Sequence, residues 1–112
     1  MTPLKISSRS AATGPVLEVT GELDYSSAAE LRRQVTALVL QPGQRLVLDL
    51  AGMEFCDSSG ITVLLAARNH AQAAQADMAL AAVPDNTMRI LRIVGLDQVF
   101  TLYAESDAAT RP

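Results

Sequence analysis

The sequence predicts an α/β fold, in which helices pack on a mixed, mainly parallel sheet of about five strands. Segments rich in branched residues alternate with segments of helical periodicity, in the order β-β-α-β-α-β-α-β. The stretch 46–50 is apolar on both faces apart from Asp49, which is typical of a central strand covered on both sides. Connections through helices are right-handed crossovers between parallel strands, so only the first strand pair is expected to be antiparallel.

The first two strands are expected to form a hairpin. Residues 16–20 partly alternate between apolar and polar and are rich in branched side chains, and Gly14, Pro15 and Gly21 bound them. This pattern predicts a strand, which pairs with another at about 4–8.

The first helix and the central strand follow the hairpin. Apolar residues recur at helical spacing over 28–39, and Ser26 or Ser27 is a good candidate for the N-cap. Pro42 and the glycine after it end this helix. The strand at 46–50 comes next, and its apolar character places it in the middle of the sheet.

The second half of the chain alternates helices and strands. The run 61–67 is apolar nearly all round and predicts a helix that begins at about Ser58 with two buried turns. A third helix is expected from about Asp85, and Gly95 is expected to end it with a left-handed backbone conformation. The remaining strands are expected at 78–83 and 100–103.

The length and composition indicate one domain over residues 1–112. A chain of 112 residues with 49% hydrophobic and 19% charged residues is expected to fold around a single core. Residues 107–112 are expected to be a frayed tail, and a short terminal helix before or within them is left open.

Composition also excludes several classes of function. The net charge is −3 and Lys5 is the one lysine, so no basic surface is expected for nucleic acid. Cys56 is the one cysteine, which excludes an internal disulfide and a multi-cysteine metal site and favours a reducing cytoplasm. The sequence shows neither a secretory signal nor an apolar stretch long enough for a membrane span.

The segment Asp57-Ser58-Ser59-Gly60 carries the most information about function. It follows a central strand and opens a helix, and ligands of α/β proteins bind at the carboxyl ends of such strands. Asp57 or Ser58 can cap the helix, which leaves at least one serine hydroxyl free. Asp24 follows the neighbouring strand, so acids and hydroxyls are expected to form one surface at the same edge.

These motifs together resemble the STAS domain of anti-sigma factor antagonists. The resemblance spans nearly the whole chain and implies the STAS fold. It rests on three motifs in this order and spacing: Gly21-Glu22-Leu23-Asp24, Leu48-Asp49-Leu50 and Asp57-Ser58-Ser59-Gly60.

The resemblance implies a bacterial partner-switching cycle controlled at Ser59, the serine directly before the glycine. The unmodified protein would bind an anti-sigma factor that is a serine kinase, and so release a sigma factor or a similar target. Phosphorylation of Ser59 would end the binding, and a metal-dependent serine phosphatase would restore it. Ser58 stays open as an alternative acceptor, because composition does not rank adjacent hydroxyls. Partner contacts are expected from Glu22, Asp24, Asp57, Ser58, Ser59 and Gly60.

Enzymatic alternatives are not supported, so no catalytic residue, metal or cofactor is expected. A serine hydrolase would need a base near Ser59, but the one histidine, His70, would lie about 16 Å along the same helix at about 1.5 Å rise per residue. Nucleotide hydrolysis would need a phosphate-binding loop, and the glycines and Lys5 do not form one. The remaining alternative is a STAS interaction or scaffold subunit that is not phosphorylated, for example in a lipid transporter or a signalling complex.

Overall fold

A computed structural model describes residues 2–112 and shows the predicted order of elements. A 3₁₀ turn at Leu96–Gln98 follows the third helix, and Gly95 before it has the expected left-handed backbone, with φ of 80°. The strands are β1 (Lys5–Ala11), β2 (Gly14–Leu23), β3 (Arg45–Cys56), β4 (Asp77–Ala81) and β5 (Thr101–Tyr103). The helices are α1 (Ala28–Ala37), α2 (Ser58–Ala73), α3 (Asp85–Ile93) and α4 (Ser106–Ala109).

The five strands form one sheet in the order β1-β2-β3-β4-β5. β1 and β2 pair antiparallel, and all other neighbours are parallel. β3 therefore lies in the middle of the sheet. The predicted fold class, the hairpin and the central strand are all confirmed.

The main core lies between one face of the sheet and the longer helices. Leu46, Leu48 and Leu50 alternate along β3 and are fully buried in this core, together with residues of α1 and α2. On the opposite face Val47 is buried, but Asp49 is only half-buried and Ala51 is exposed. The expectation that β3 is covered on both sides is therefore correct at Val47 and wrong beyond it.

The prediction of a frayed tail at 107–112 is wrong for its first residues, and the short terminal helix is confirmed. α4 covers the second face of the sheet, and the Ala109 side chain is fully buried there. The Arg45 guanidinium donates a hydrogen bond of 3.0 Å to the Ala109 carbonyl. A small side chain and a long-range hydrogen bond hold the segment in place. The side chains packed around Ala109 belong to Val16, Val47 and Ala81.

β2 and β3 are longer than their sequence patterns predict. Their pairing shifts register between Glu18 and Thr20 and again between Gly21 and Glu22. Such irregularities break the alternation of apolar and polar residues on which the predicted ends relied. The extra length carries both strands to the edge where α2 begins.

Candidate functional site at the start of helix α2

Asp57 is the N-cap of α2, one of the two candidates that the sequence offered. Its backbone is extended, and its Oδ1 accepts hydrogen bonds from the backbone N–H groups of Ser59 (2.8 Å) and Gly60 (3.2 Å). These are two of the donors that the first turn of a helix leaves without a partner. The other carboxylate oxygen, Oδ2, accepts from the Tyr25 N–H at 3.2 Å. One carboxylate thus caps α2 and links it to the loop after β2.

The parallel pairing of β2 and β3 brings Asp24 and Asp57 to the same edge of the sheet. Leu23 lies opposite Cys56 at the ends of the two strands, and the Asp57 N–H donates to the Leu23 carbonyl at 3.2 Å. Each aspartate directly follows its strand. The predicted juxtaposition of these two motifs is confirmed.

Gly60 permits the first turn of α2 to approach the strand ends closely. It is buried, and a Cβ at this position would lie 2.6 Å from the Cys56 sulfur and 2.9 Å from Leu23 Cγ. Real Cβ atoms essentially never come so near to another heavy atom. Gly60 therefore packs inside the domain and presents no side chain at the surface.

The hydroxyls of Ser58 and Ser59 are not used to hold the fold together. Ser58 is exposed and Ser59 is half-buried, and neither hydroxyl forms a hydrogen bond within residues 2–112. In the same part of the chain, every buried side-chain nitrogen or oxygen has a hydrogen-bond partner. The unbonded Ser59 Oγ therefore reaches solvent, where another protein can contact it.

Ser59 lines a shallow groove of about 290 Å³ between α1 and α2. The exposed Arg32 lines the same groove and is the one charged residue among the described residues that do so. Arg32 was not among the predicted site residues, because nothing local in the sequence indicates that it lies near Ser59. The other lining residues are Tyr25, Ala28, Ala29, Thr62 and Val63.

Glu22 and Asp24 line a different hollow, of about 180 Å³, together with Ser26 and Ser27 of the loop after β2. The Glu22 carboxylate accepts a hydrogen bond from the Thr2 N–H at 3.1 Å. The expectation that acids and hydroxyls form one surface stays a prediction, since Asp57 lies at the same edge as Asp24 but Ser59 lines a separate groove. Glu22 and Asp24 line one hollow, while the groove that contains Ser59 carries the cationic Arg32.

The hydroxyls after Asp24 have structural roles, unlike those after Asp57. Asp24 Oδ1 accepts from the Ser26 hydroxyl (2.7 Å) and the Ser26 N–H (3.0 Å), and the Ser27 hydroxyl lies 3.2 Å away. The Ser27 hydroxyl also donates to the Glu22 carbonyl at 2.8 Å and accepts from the Asp24 N–H at 3.0 Å. The pKa of the Asp24 carboxyl is lowered, mainly by the hydrogen bond from the Ser26 hydroxyl, while desolvation acts in the opposite direction. The Ser27 side chain forms no capping bond to α1, contrary to the simple N-cap prediction.

Cys56 and His70 belong to residue types that are often reactive, but neither is placed to react with or activate Ser59. Burial raises the pKa of the Cys56 thiol to about 12, and the nearby Asp57 charge acts in the same direction. A thiol of this kind is inert at neutral pH. His70 Nε2 lies 2.8 Å from the Leu38 carbonyl, in the segment after α1, so this contact engages the imidazole away from Ser59.

Two further features of the described part of the chain concern clusters of metal-ligating side chains and helices that could cross a membrane. Across residues 2–112, no group of three or more histidine, cysteine, aspartate or glutamate side chains could hold a metal ion. None of the helices there combines the length and the apolar character that crossing a bilayer requires.

The chain belongs to the STAS domain family. The family model described as "Mlab, STAS domain" matches residues 6–103. Over 89 residues the chain is 32% identical to the anti-sigma-F factor antagonist RsfB of Mycobacterium tuberculosis, covering 80% of this chain and 72% of that protein.

Solved structures agree with this assignment. An anti-sigma factor antagonist from Mycobacterium paratuberculosis has a TM-score of 0.84 and 27% identity, covering 98% of this chain and 96% of that one. The phosphorylated form of the Bacillus protein SpoIIAA has the same fold, with a TM-score of 0.69, 18% identity and 96% of each chain covered. Both of the mycobacterial relatives are named for a role in regulation, as anti-sigma factor antagonists.

Proposed function

We propose that this protein is an anti-sigma factor antagonist that is switched off by phosphorylation of Ser59. The unmodified form binds an anti-sigma factor, itself a serine kinase, and so releases the target of that factor. The kinase phosphorylates Ser59 and the complex dissociates, and a metal-dependent serine phosphatase restores the binding form. The cycle operates in the cytoplasm, where the anti-sigma factor and its target are found.

The accessible, unbonded Ser59 hydroxyl is the observation that carries this proposal. Its oxygen reaches solvent in the first turn of α2, while Asp57 caps that turn through backbone N–H groups. Modification of the hydroxyl therefore breaks no hydrogen bond of the fold. The anti-sigma factor antagonists among the relatives supply the class of partner.

A phosphate at this position changes the surface more than the scaffold. It adds about −1.5 to −2 charges at neutral pH and three acceptor oxygens. In an interface that covers Ser59, this dianion would have to lose its water. A misplaced desolvated charge typically costs about 2–5 kcal/mol, which corresponds to about tens- to thousands-fold weaker binding. Local charge is sufficient to release the partner while the domain stays folded.

The binding step is tested by placing a charge at Ser59 and measuring the affinity for the cognate anti-sigma factor by calorimetry. Ser59→Glu is expected to weaken binding by about tens- to thousands-fold, because the carboxylate is desolvated at the interface. Ser59→Ala is expected to bind within a few-fold of the wild type.

Ser10→Glu is the matched control for overall charge. Ser10 is exposed on β1 opposite Pro15, at the end of the sheet remote from the first turn of α2. This variant is expected to bind like the wild type. If Ser59→Glu also binds like the wild type, the charge mechanism is wrong. If the wild type binds no anti-sigma factor, the protein is instead a STAS scaffold subunit that works without phosphorylation.

A further inference from the structure

We propose that Arg32 pairs with the phosphate on Ser59, so that the modified side chain is held within the groove between α1 and α2. The inference rests on the proposed function in that it takes Ser59 as the phosphorylated residue. It adds a binding partner for the phosphate within the same domain. This partner comes from α1, a helix that contains no part of the Asp57–Gly60 motif.

The groove supplies both the space and the charge. Ser59 and Arg32 line the same cavity of about 290 Å³, from α2 and α1 respectively. The small Ala28 and Ala29 side chains line the cavity beside them, and the Thr62 hydroxyl lies one helical turn from Ser59. A phosphate on Ser59 Oγ can therefore turn into the groove and meet a guanidinium, whose planar fork suits phosphate oxygens.

The helix N-terminus is a poorer receptor for this phosphate. The Ser59 and Gly60 N–H groups already donate to Asp57 Oδ1, at 2.8 and 3.2 Å. A phosphate would have to displace the Asp57 carboxylate to use them, and the two anions repel each other. The nearest cation that the groove offers is therefore the better partner.

Arg32 is available for this role, whereas its neighbour is not. Arg33 forms an ion pair with Glu30 on the exposed side of α1. Within residues 2–112, Arg32 forms no ion pair and no side-chain hydrogen bond. Phosphorylation would change the charge in the groove from about +1 to between about −0.5 and −1. A partner that fits the unmodified groove would then meet the opposite sign of charge.

The experiment measures the second ionisation of a phosphoserine incorporated at position 59 during translation, by ³¹P NMR at low ionic strength. This ionisation has a pKa of about 6 in an unperturbed phosphoserine. In the Arg32→Gln background it is expected to lie about 0.5–1 unit higher than in the wild type, because the opposite charge that favours the dianion is gone. Arg32→Lys is expected to lie between the two, since the point charge stays and the fork is lost.

Arg33→Gln is the matched control, with the same change in net charge one residue away on the same helix. It is expected to shift the phosphate pKa by less than half as much as Arg32→Gln. A phosphoserine at the more exposed position 58 is expected to respond little to Arg32→Gln. Thermal unfolding of each unphosphorylated variant verifies that it folds.

Equal shifts in Arg32→Gln and Arg33→Gln, or no shift in either, would overturn the inference. The measurement does not depend on the proposed kinase, because the phosphoserine is incorporated during translation. Its outcome can therefore be distinguished from a failure of the proposed function. Failure of a kinase to label Ser59 would count against the proposed function alone. A phosphate that titrates independently of Arg32 would count against the pairing alone.

Discussion

Two turns of this protein have nearly the same composition and use it differently. Asp24 precedes α1 and is followed by two serines within three residues, and Asp57 precedes α2 and is followed directly by two serines. In the first turn the Ser26 hydroxyl donates to the Asp24 carboxylate, and the Ser27 hydroxyl donates to the Glu22 carbonyl. In the second turn the carboxylate bonds to backbone N–H groups and leaves both hydroxyls unbonded within residues 2–112.

The difference separates a structural turn from a turn that another protein can modify. A hydroxyl that already links two backbone segments cannot accept a phosphate without the loss of those bonds. A hydroxyl without such bonds can be modified while the fold is retained. The position of the capping carboxylate, rather than the presence of serine, therefore determines which turn suits a switch.

The largest effect on stability is expected from removal of the Asp57 carboxylate. Asp57→Ala deletes the helix cap and the hydrogen bond to the Tyr25 N–H together. We expect the free energy of unfolding to fall by about 1–2 kcal/mol, measured by urea denaturation. Asp57→Asn is the control, because its amide oxygen still caps, and it is expected to lose much less. Equal losses in the two variants would show that the cap geometry is not what stabilises this turn.

A smaller and more discriminating effect is expected when one hydroxyl is removed from each turn. Ser27→Ala should lower the free energy of unfolding by about 1 kcal/mol, because it removes the hydrogen bonds of this hydroxyl to the Glu22 carbonyl and from the Asp24 N–H. Ser59→Ala should change it by less than about 0.5 kcal/mol, because its hydroxyl has no partner to lose. Denaturation of the two variants side by side provides the measurement. A Ser59→Ala loss as large as that of Ser27→Ala would remove the distinction between the turns.

Much of the fold could be predicted because its signals are local. Branched segments, helical periodicity and Gly95 each indicate the structure of the adjacent residues, and each predicted the correct type of element. The burial of Ala109 could not be predicted in this way, since it depends on packing against Val16, Val47 and Ala81, which lie far from it along the chain. The full length of β3 was missed because Gly52 and Glu54 interrupt its apolar pattern.

The site was predictable as a motif but not as a set of neighbours. The sequence offered Asp57 as one of two possible caps and placed Asp24 at the same edge, because both aspartates follow parallel strands. It did not show that Asp24 faces a separate hollow, since that depends on the path of the loop after β2. Arg32 was missed because its proximity to Ser59 arises from the packing of α1 beside α2.

The most direct test of the central claim is site-resolved mass spectrometry after incubation with the cognate kinase and ATP. The account predicts phosphate on Ser59 in the wild type and in Ser58→Ala, and none on the hydroxyls of Ser26 and Ser27. Ser59→Ala is expected to remain unlabelled. Phosphate found on Ser58 alone, or label retained in Ser59→Ala, would contradict the account.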